Sequence, residues 1–141
     1  MCCDAFGQYL LERGRVKVAR VHFEAGLEAS ARVYGEGSEQ WLAMANGLAT
    51  CYSMSGRTAE ADALFEKIVI LARELPSNRL AAYLVNSGLH HLHIAAVGTA
   101  GRLCQEALAL VRRNGAGEEE TDQEVRQQSV NCLRKVKEAL K

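Results

Sequence analysis

Proline and aromatic residues are scarce in this chain of 141 residues, which holds one Pro, one Trp, three Phe and four Tyr. With a single proline, little in the sequence interrupts helices. An excess of charge of either sign is also missing: 17 Lys plus Arg stand against 17 Asp plus Glu. A dedicated nucleic-acid binder carries a basic surplus for its phosphate contacts, so no nucleic-acid partner is expected. No run of about 18 apolar residues is present to form a membrane span. The opening Met-Cys-Cys-Asp-Ala-Phe has neither the basic nor the apolar segment of a secretory signal. The Walker loop, G-x-G-x-x-G, G-x-S-x-G and H-E-x-x-H are absent as well. No cofactor, no metal and no catalysis are therefore expected.

Five cysteines occur, at 2, 3, 51, 104 and 132, with no C-x-x-C pair. An odd number without paired spacing fits reduced, structural thiols better than a disulfide framework or a zinc site. The expected location is cytoplasmic, in a reducing compartment. Cys2 and Cys3 suit either S-acylation or, for Cys3, a buried slot of a first helix.

What the chain has in quantity is Ala and Leu, 21 and 17 residues. Both are strong helix formers, no segment alternates with period two, and the class is all-α. The 48% hydrophobic content suffices for a folded core.

The chain also repeats itself. Gly14–Phe23 laid 42 residues forward falls on Gly56–Phe65. Gly14 meets Gly56, Arg15 meets Arg57, Ala19 meets Ala61 and Phe23 meets Phe65. Upstream, Phe6 falls on Leu48, Gly7 on Ala49 and Leu10 on Tyr52. Each block reads as a first helix, a tight turn at the glycine, and a second helix. The alanine is the small residue where the two helices cross. The phenylalanine is the large knob one turn later on the same face.

This pattern of large residue, small residue, Tyr, turn Gly, Ala and aromatic resembles the tetratricopeptide-repeat family. Gly26 and Ile68 depart from it at the last small slot, and Ala45 stands at the usual Trp position. The run from Val33 to Gly56 resembles the long, kinesin-light-chain-like subtype, with repeats of about 42 residues. The resemblance implies a right-handed superhelical α-solenoid of about three helical hairpins plus a C-terminal capping helix. Residues 1–141 are then one domain. Repeat 1 covers about 1–36, repeat 2 about 38–75, a degenerate repeat 3 about 77–114, and the cap about 120–140.

In the third repeat, Leu89 and His93 fall where Leu48 and Tyr52 would recur. A turn is expected around Val97–Gly101, with Leu103 and Ala107 in the Ala and Phe slots. Asn114–Glu120 reads as a flexible joint with an acidic run. Thr121 and Glu124 form a capping box ahead of the stripe Val125, Ser129, Cys132, Leu133, Val136 and Leu140. Seven helices are expected, at about 3–13, 15–34, 39–54, 58–75, 77–96, 99–113 and 121–140, with Pro76 ending the fourth. The sequence starts inside the first helix, so a fragment of a longer protein is an open reading.

The cluster His90, His91 and His93 has poor spacing for one metal, because neighbours on a helix point about 100° apart. Ordinary packing is the expected role. Trp41 and Tyr34 suit either core or an exposed anchor.

The resemblance implies that first helices of the hairpins line a concave groove that holds a peptide or partner helix. Groove candidates are Gln8 and Glu12, then Asn46, Thr50 and Ser53, then Ser87, His91 and Ile94. Positions that grip a chaperone's C-terminal carboxylate in related proteins hold Asp4, Gln8, Gly47, Leu84 and Gly88 here, so that ligand is disfavoured. The expected function is a non-catalytic protein–protein interaction scaffold. The alternative is a structural subunit buried in a larger assembly. The partner's identity and the oligomeric state are not legible.

Overall fold

The structure is a computed structural model that describes Gly7, residues 9–113 and residues 120–140. It is all-helical, with no strand among the described residues. The first helix, α1, is described over 9–12. It is followed by α2 (Val16–Tyr34), α3 (Glu39–Met54), α4 (Thr58–Ala72), α5 (Ser77–His93), α6 (Val97–Arg113) and α7 (Glu120–Ala139). Expectations for residues 1–6, 8, 114–119 and 141 lie outside the described residues. These include the fates of Cys2 and Cys3 and most of the acidic run.

Helix ends follow local chemistry. The Ser38 hydroxyl accepts the Trp41 N–H at 3.1 Å, which caps α3, and Glu39 sits in its first turn, where a negative charge suits the helix dipole. Gly35, at φ 91°, closes α2 by donating its N–H to the Ser30 and Ala31 carbonyls. The fourth helix stops at Ala72 rather than near 75. Tight bonds from Glu74 N–H to Leu71 O and from Leu75 N–H to Ala72 O end it before Pro76. Pro76 instead becomes the N-cap of α5.

The same turn occurs three times. Gly14, Gly56 and Ala95 all adopt left-handed backbone, with φ of 75°, 78° and 65°. After each, the next N–H reaches back five residues: Arg15 to Leu10 O at 2.8 Å, Arg57 to Tyr52 O at 2.9 Å, and Ala96 to His91 O at 2.7 Å. This satisfies carbonyls that a helix C-terminus otherwise leaves bare. The third turn therefore sits at Ala95, and the expected turn at Val97–Gly101 is instead the start of α6.

This fixes the register of the third hairpin 39 residues after the second, in place of 42. Ala19, Ala61 and Ala100 then occupy one slot, each with no exposed surface. Phe23, Phe65 and Cys104 occupy the knob slot, at 1%, 2% and 0% exposure. Leu103 and Ala107 do not hold these positions. Ser87 and His91, rather than Leu89 and His93, align with Leu48 and Tyr52.

The chain gathers into two compact units, residues 1–70 and 71–141. In the first, α2 packs on α3, and Phe23 joins Leu10, Ala19, Met44, Leu48 and Cys51 in the core. A methyl group added at Gly7 or Gly47 would overlap the Phe23 ring. Trp41 is buried at 5% exposure and Tyr34 is exposed. Lys67 reaches across from α4, paired with Glu36 and lying 5.3 Å over the Trp41 ring.

In the second unit, α5 packs on α6, and α7 packs on both. Arg73 pairs with Glu106 through two bonds of 2.7 and 3.2 Å. The expectation of reduced thiols fails here: Cys104 of α6 and Cys132 of α7 form a disulfide, with their Cα atoms 6.4 Å apart. Opposite Cys104 lies Gly88, where an added methyl would meet the sulfur. A sulfur bonded to α7 thus fills the space that an aromatic ring fills in the other two hairpins.

Ala95 does a glycine's task at a conformation that costs a side-chain-bearing residue about 1 kcal/mol or more. Ala95→Gly is expected to raise stability by about 0.5–1 kcal/mol, after offsetting glycine's larger unfolded-state entropy. Chemical denaturation checks this, and a fall in midpoint would contradict the turn assignment.

Candidate functional site

The polar candidates of the first unit sit mainly on α3. Asn46, Thr50 and Ser53 are spaced by four and three residues, so they share one face of the helix. All three are half-buried, whereas Trp41, Leu42, Ala45, Leu48, Ala49 and Cys51 of the same helix are buried. Thr50 donates its hydroxyl hydrogen to the Asn46 carbonyl at 2.9 Å. Its oxygen lone pairs remain available to accept. Asn46 and Ser53 are also engaged within the protein. Glu12, near the end of α1, is exposed. Gln8 lies outside the described residues.

At the end of α1, Tyr9, Arg13 and Arg15 line an open cavity of about 310 Å³. The Arg13 guanidinium lies 5.7 Å from the centre of the Tyr9 ring, a distance at which cation and ring attract. Arg57 and Tyr52 form a matching pair at 5.5 Å beside the second turn. Arginine therefore stands next to the groove candidate Glu12.

The third hairpin corrects one candidate, Ser87, and re-places another, His91. Ser87 is 2% exposed, because the 39-residue register puts it in the core slot of Leu48. His91 takes the slot of Tyr52. It is half-buried, and its Nδ1–H donates to the Ser87 carbonyl at 2.8 Å, leaving Nε2 as the other ring nitrogen. The residues in register with Asn46, Thr50 and Ser53 are Val85, Leu89 and Leu92. Val85 is fully buried, and of the two leucines, Leu89 and Leu92, each is half-buried. Ile94, the remaining candidate, is half-buried at the C-cap of α5. The sequence signal for this shift is faint, because the turn residue is Ala and not Gly.

The histidines do not gather a metal. His90 is buried at 4% exposure and its ring stands edge-on to His91, with centroids 5.2 Å apart. Among the described residues no three His, Cys, Asp or Glu side chains converge to hold an ion. Nor is any helix among them long and apolar enough to cross a membrane.

The family profile for the tetratricopeptide repeat matches residues 4–74, the stretch that holds the first two turns and their alanine and phenylalanine slots. The chain belongs to the tetratricopeptide repeat family. No curated protein matches it. Among solved structures, it is similar to the nearly identical TPR-like repeats described for a Podosopora anserina kinesin light chain. The two are 19% identical with a TM-score of 0.75, over 99% of this chain and 69% of that one. A single-residue variant of that protein gives a TM-score of 0.74 at 19% identity, over 99% of this chain and 68% of the other. BtubC (BKLC) from P. vanneervenii gives 0.73 at 18% identity, over 98% and 61%. At this identity the likeness shows the fold, a tetratricopeptide-type α-solenoid.

Cys51 lies on the core side of α3 with no exposed surface. Burial pushes its thiol up to about 11, with Arg20 pulling partly down and Glu24 pushing up. At neutral pH the thiolate fraction is then on the order of one in ten thousand. Maleimide labelling of native protein is expected to leave Cys51 unmodified while denatured protein labels fully, read by mass spectrometry. The folded value lies above the unfolded one of 9.0, so proton binding favours the fold. The associated stability is present below pH 9 and is lost as pH rises through about 11.

Proposed function

We propose that the chain is a non-catalytic scaffold that binds a peptide or partner helix through the α3 face shared by Asn46, Thr50 and Ser53, with Glu12 of α1 as a further contact. The observation that carries this reading is the half-buried polar row on α3, set beside a helix face that is otherwise packed. Interaction through helical repeats is the general use of this family's architecture. Asn and hydroxyl groups suit contact with a peptide backbone, where recognition rests on hydrogen bonds. We also take residues 1–141 as one repeat domain, with α7 as its cap. His91 remains a separate candidate contact of the second unit, through Nε2, and buried Ser87 is not one.

Equal numbers of acids and bases give no support to a nucleic-acid partner, and the absence of the carboxylate-holding residues disfavours a chaperone tail. A cytoplasmic location is part of this proposal, with one condition. The buried bridge between Cys104 and Cys132 must meet cytosolic thiols only while α7 is open, since both residues have no exposed surface in the closed fold.

The second reading, a subunit buried in a larger assembly, draws support from apolar side chains on the outside of the first unit. Val18, Val21 and Ile70 are 50%, 61% and 62% exposed. Affinity capture separates the two readings. An Asn46→Ala/Thr50→Arg double variant, with helicity matched to the parent by circular dichroism, is expected to bind its partner at least about tenfold more weakly, which corresponds to about 1.4 kcal/mol. Undiminished binding by the folded variant, together with loss on Val21→Asp, would move the interface to the α2 exterior.

A further inference from the structure

We propose that the Cys104–Cys132 disulfide is a redox latch that decides whether α7 stays closed on α5 and α6. Apart from the bridge, α7 is held by small buried side chains. Among its described side chains, Val125, Ser129, Cys132 and Val136 are buried, none larger than valine, and Leu133 is half-buried beside them. By comparison, α3 buries Trp41, Leu42, Met44 and Leu48. Burial strength follows apolar area, so these side chains give α7 a modest apolar hold for a helix of 20 residues, although it packs on both α5 and α6. Ser129 gains no cross-helix bond, since its hydroxyl donates back to the Val125 carbonyl at 2.8 Å. Outside this stripe, Glu124, Gln127, Arg134, Lys135, Lys137 and Glu138 are exposed to solvent.

The bridge lies in the middle of that weak seam. Cys104 is in the knob slot of α6, where hairpins one and two place phenylalanine. The ring there packs without a covalent partner. Cysteine is smaller and fills its slot only together with the sulfur of Cys132. Oxidised, the pair joins positions 28 residues apart and fixes α7 on the hairpin. Reduced, it leaves two small thiols in a space that aromatic residues fill elsewhere, and the tether is gone.

The exchange itself balances. A dithiol reductant, as thiolate, attacks one sulfur of the bridge and breaks the S–S bond, releasing the other cysteine as a thiol after protonation. The reductant's second thiolate then resolves the mixed disulfide, frees the second cysteine, and leaves as its own disulfide. Both sulfurs are buried, so attack occurs during brief local opening around the bridge, and reduction then lets α7 stay open. Opening uncovers the face of α6 that carries Cys104 and Gly101, the latter set against Val136 of α7. Cys51, in the first unit and with its thiol held protonated, takes no part.

The test is amide hydrogen exchange by mass spectrometry on the full chain, with and without dithiothreitol. A Cys104→Ala/Cys132→Ala variant mimics the open latch without reductant. Intact mass under nonreducing conditions first confirms the bridge as a loss of two thiol hydrogens. Reduction is expected to speed exchange across α7 by on the order of several hundred-fold, from the chain entropy of a closed loop of this size, while α2 and α3 keep their protection. Unchanged α7 exchange in the reduced chain and the variant would overturn the latch. So would loss of protection throughout α2 and α3, which would make the bridge a staple of the whole fold. Free thiols at both positions in the native, air-oxidised protein would overturn it too.

Discussion

Close approach of two helices at one small residue is the constraint on which the rest of this structure depends. Ala19, Ala61 and Ala100 have no exposed surface and recur at the same distance after a left-handed turn residue. A larger side chain at that point would hold the helices apart and open the core beyond what packing tolerates. The turn, the small residue and the following knob thus form one unit of design. Wherever the turn sits, the other two positions follow five and nine residues later.

That dependence explains what is legible without coordinates. The helical class, the first two turns and the Ala and Phe slots can be read from the sequence, because glycine marks positive φ and two copies agree over 42 residues. Helix boundaries come close for the same reason. The third hairpin departs from its expected register by a few residues, because Ala95 adopts a conformation that a side chain disfavours. Moving the turn earlier rotates the assignments on α5, and Ser87 passes from groove to core. The disulfide is illegible for a different reason. Its cysteines are far apart in sequence, and nothing local to Cys104 or Cys132 identifies a partner.

The corrected register also changes the chemistry of the candidate face. On α3 the row is amide and hydroxyl, at Asn46, Thr50 and Ser53. On α5 the corresponding row is Val85, Leu89 and Leu92. Two hairpins built on one packing rule therefore offer different surfaces: α5 buries Val85 outright and leaves only the half-buried Leu89 and Leu92 of that row, where α3 offers three polar groups. Variation outside the turn, alanine and knob slots lets a repeat protein vary its ligand while keeping its packing frame. The polar row can be proposed from the sequence because its neighbours match the repeat frame. The apolar row needs the position of Ala95.

The bridge between α6 and α7 has a mechanical meaning as well. A pull on the end of α7 would normally unravel the chain one turn at a time. Here tension reaching Cys132 passes through sulfur directly into α6 at Cys104. The intervening chain carries no load, and its extended length of about 95 Å is withheld from stretching. Force applied at that end is thus delivered to the interior of the second unit, at the point where Gly88 of α5 lets the Cys104 sulfur come close.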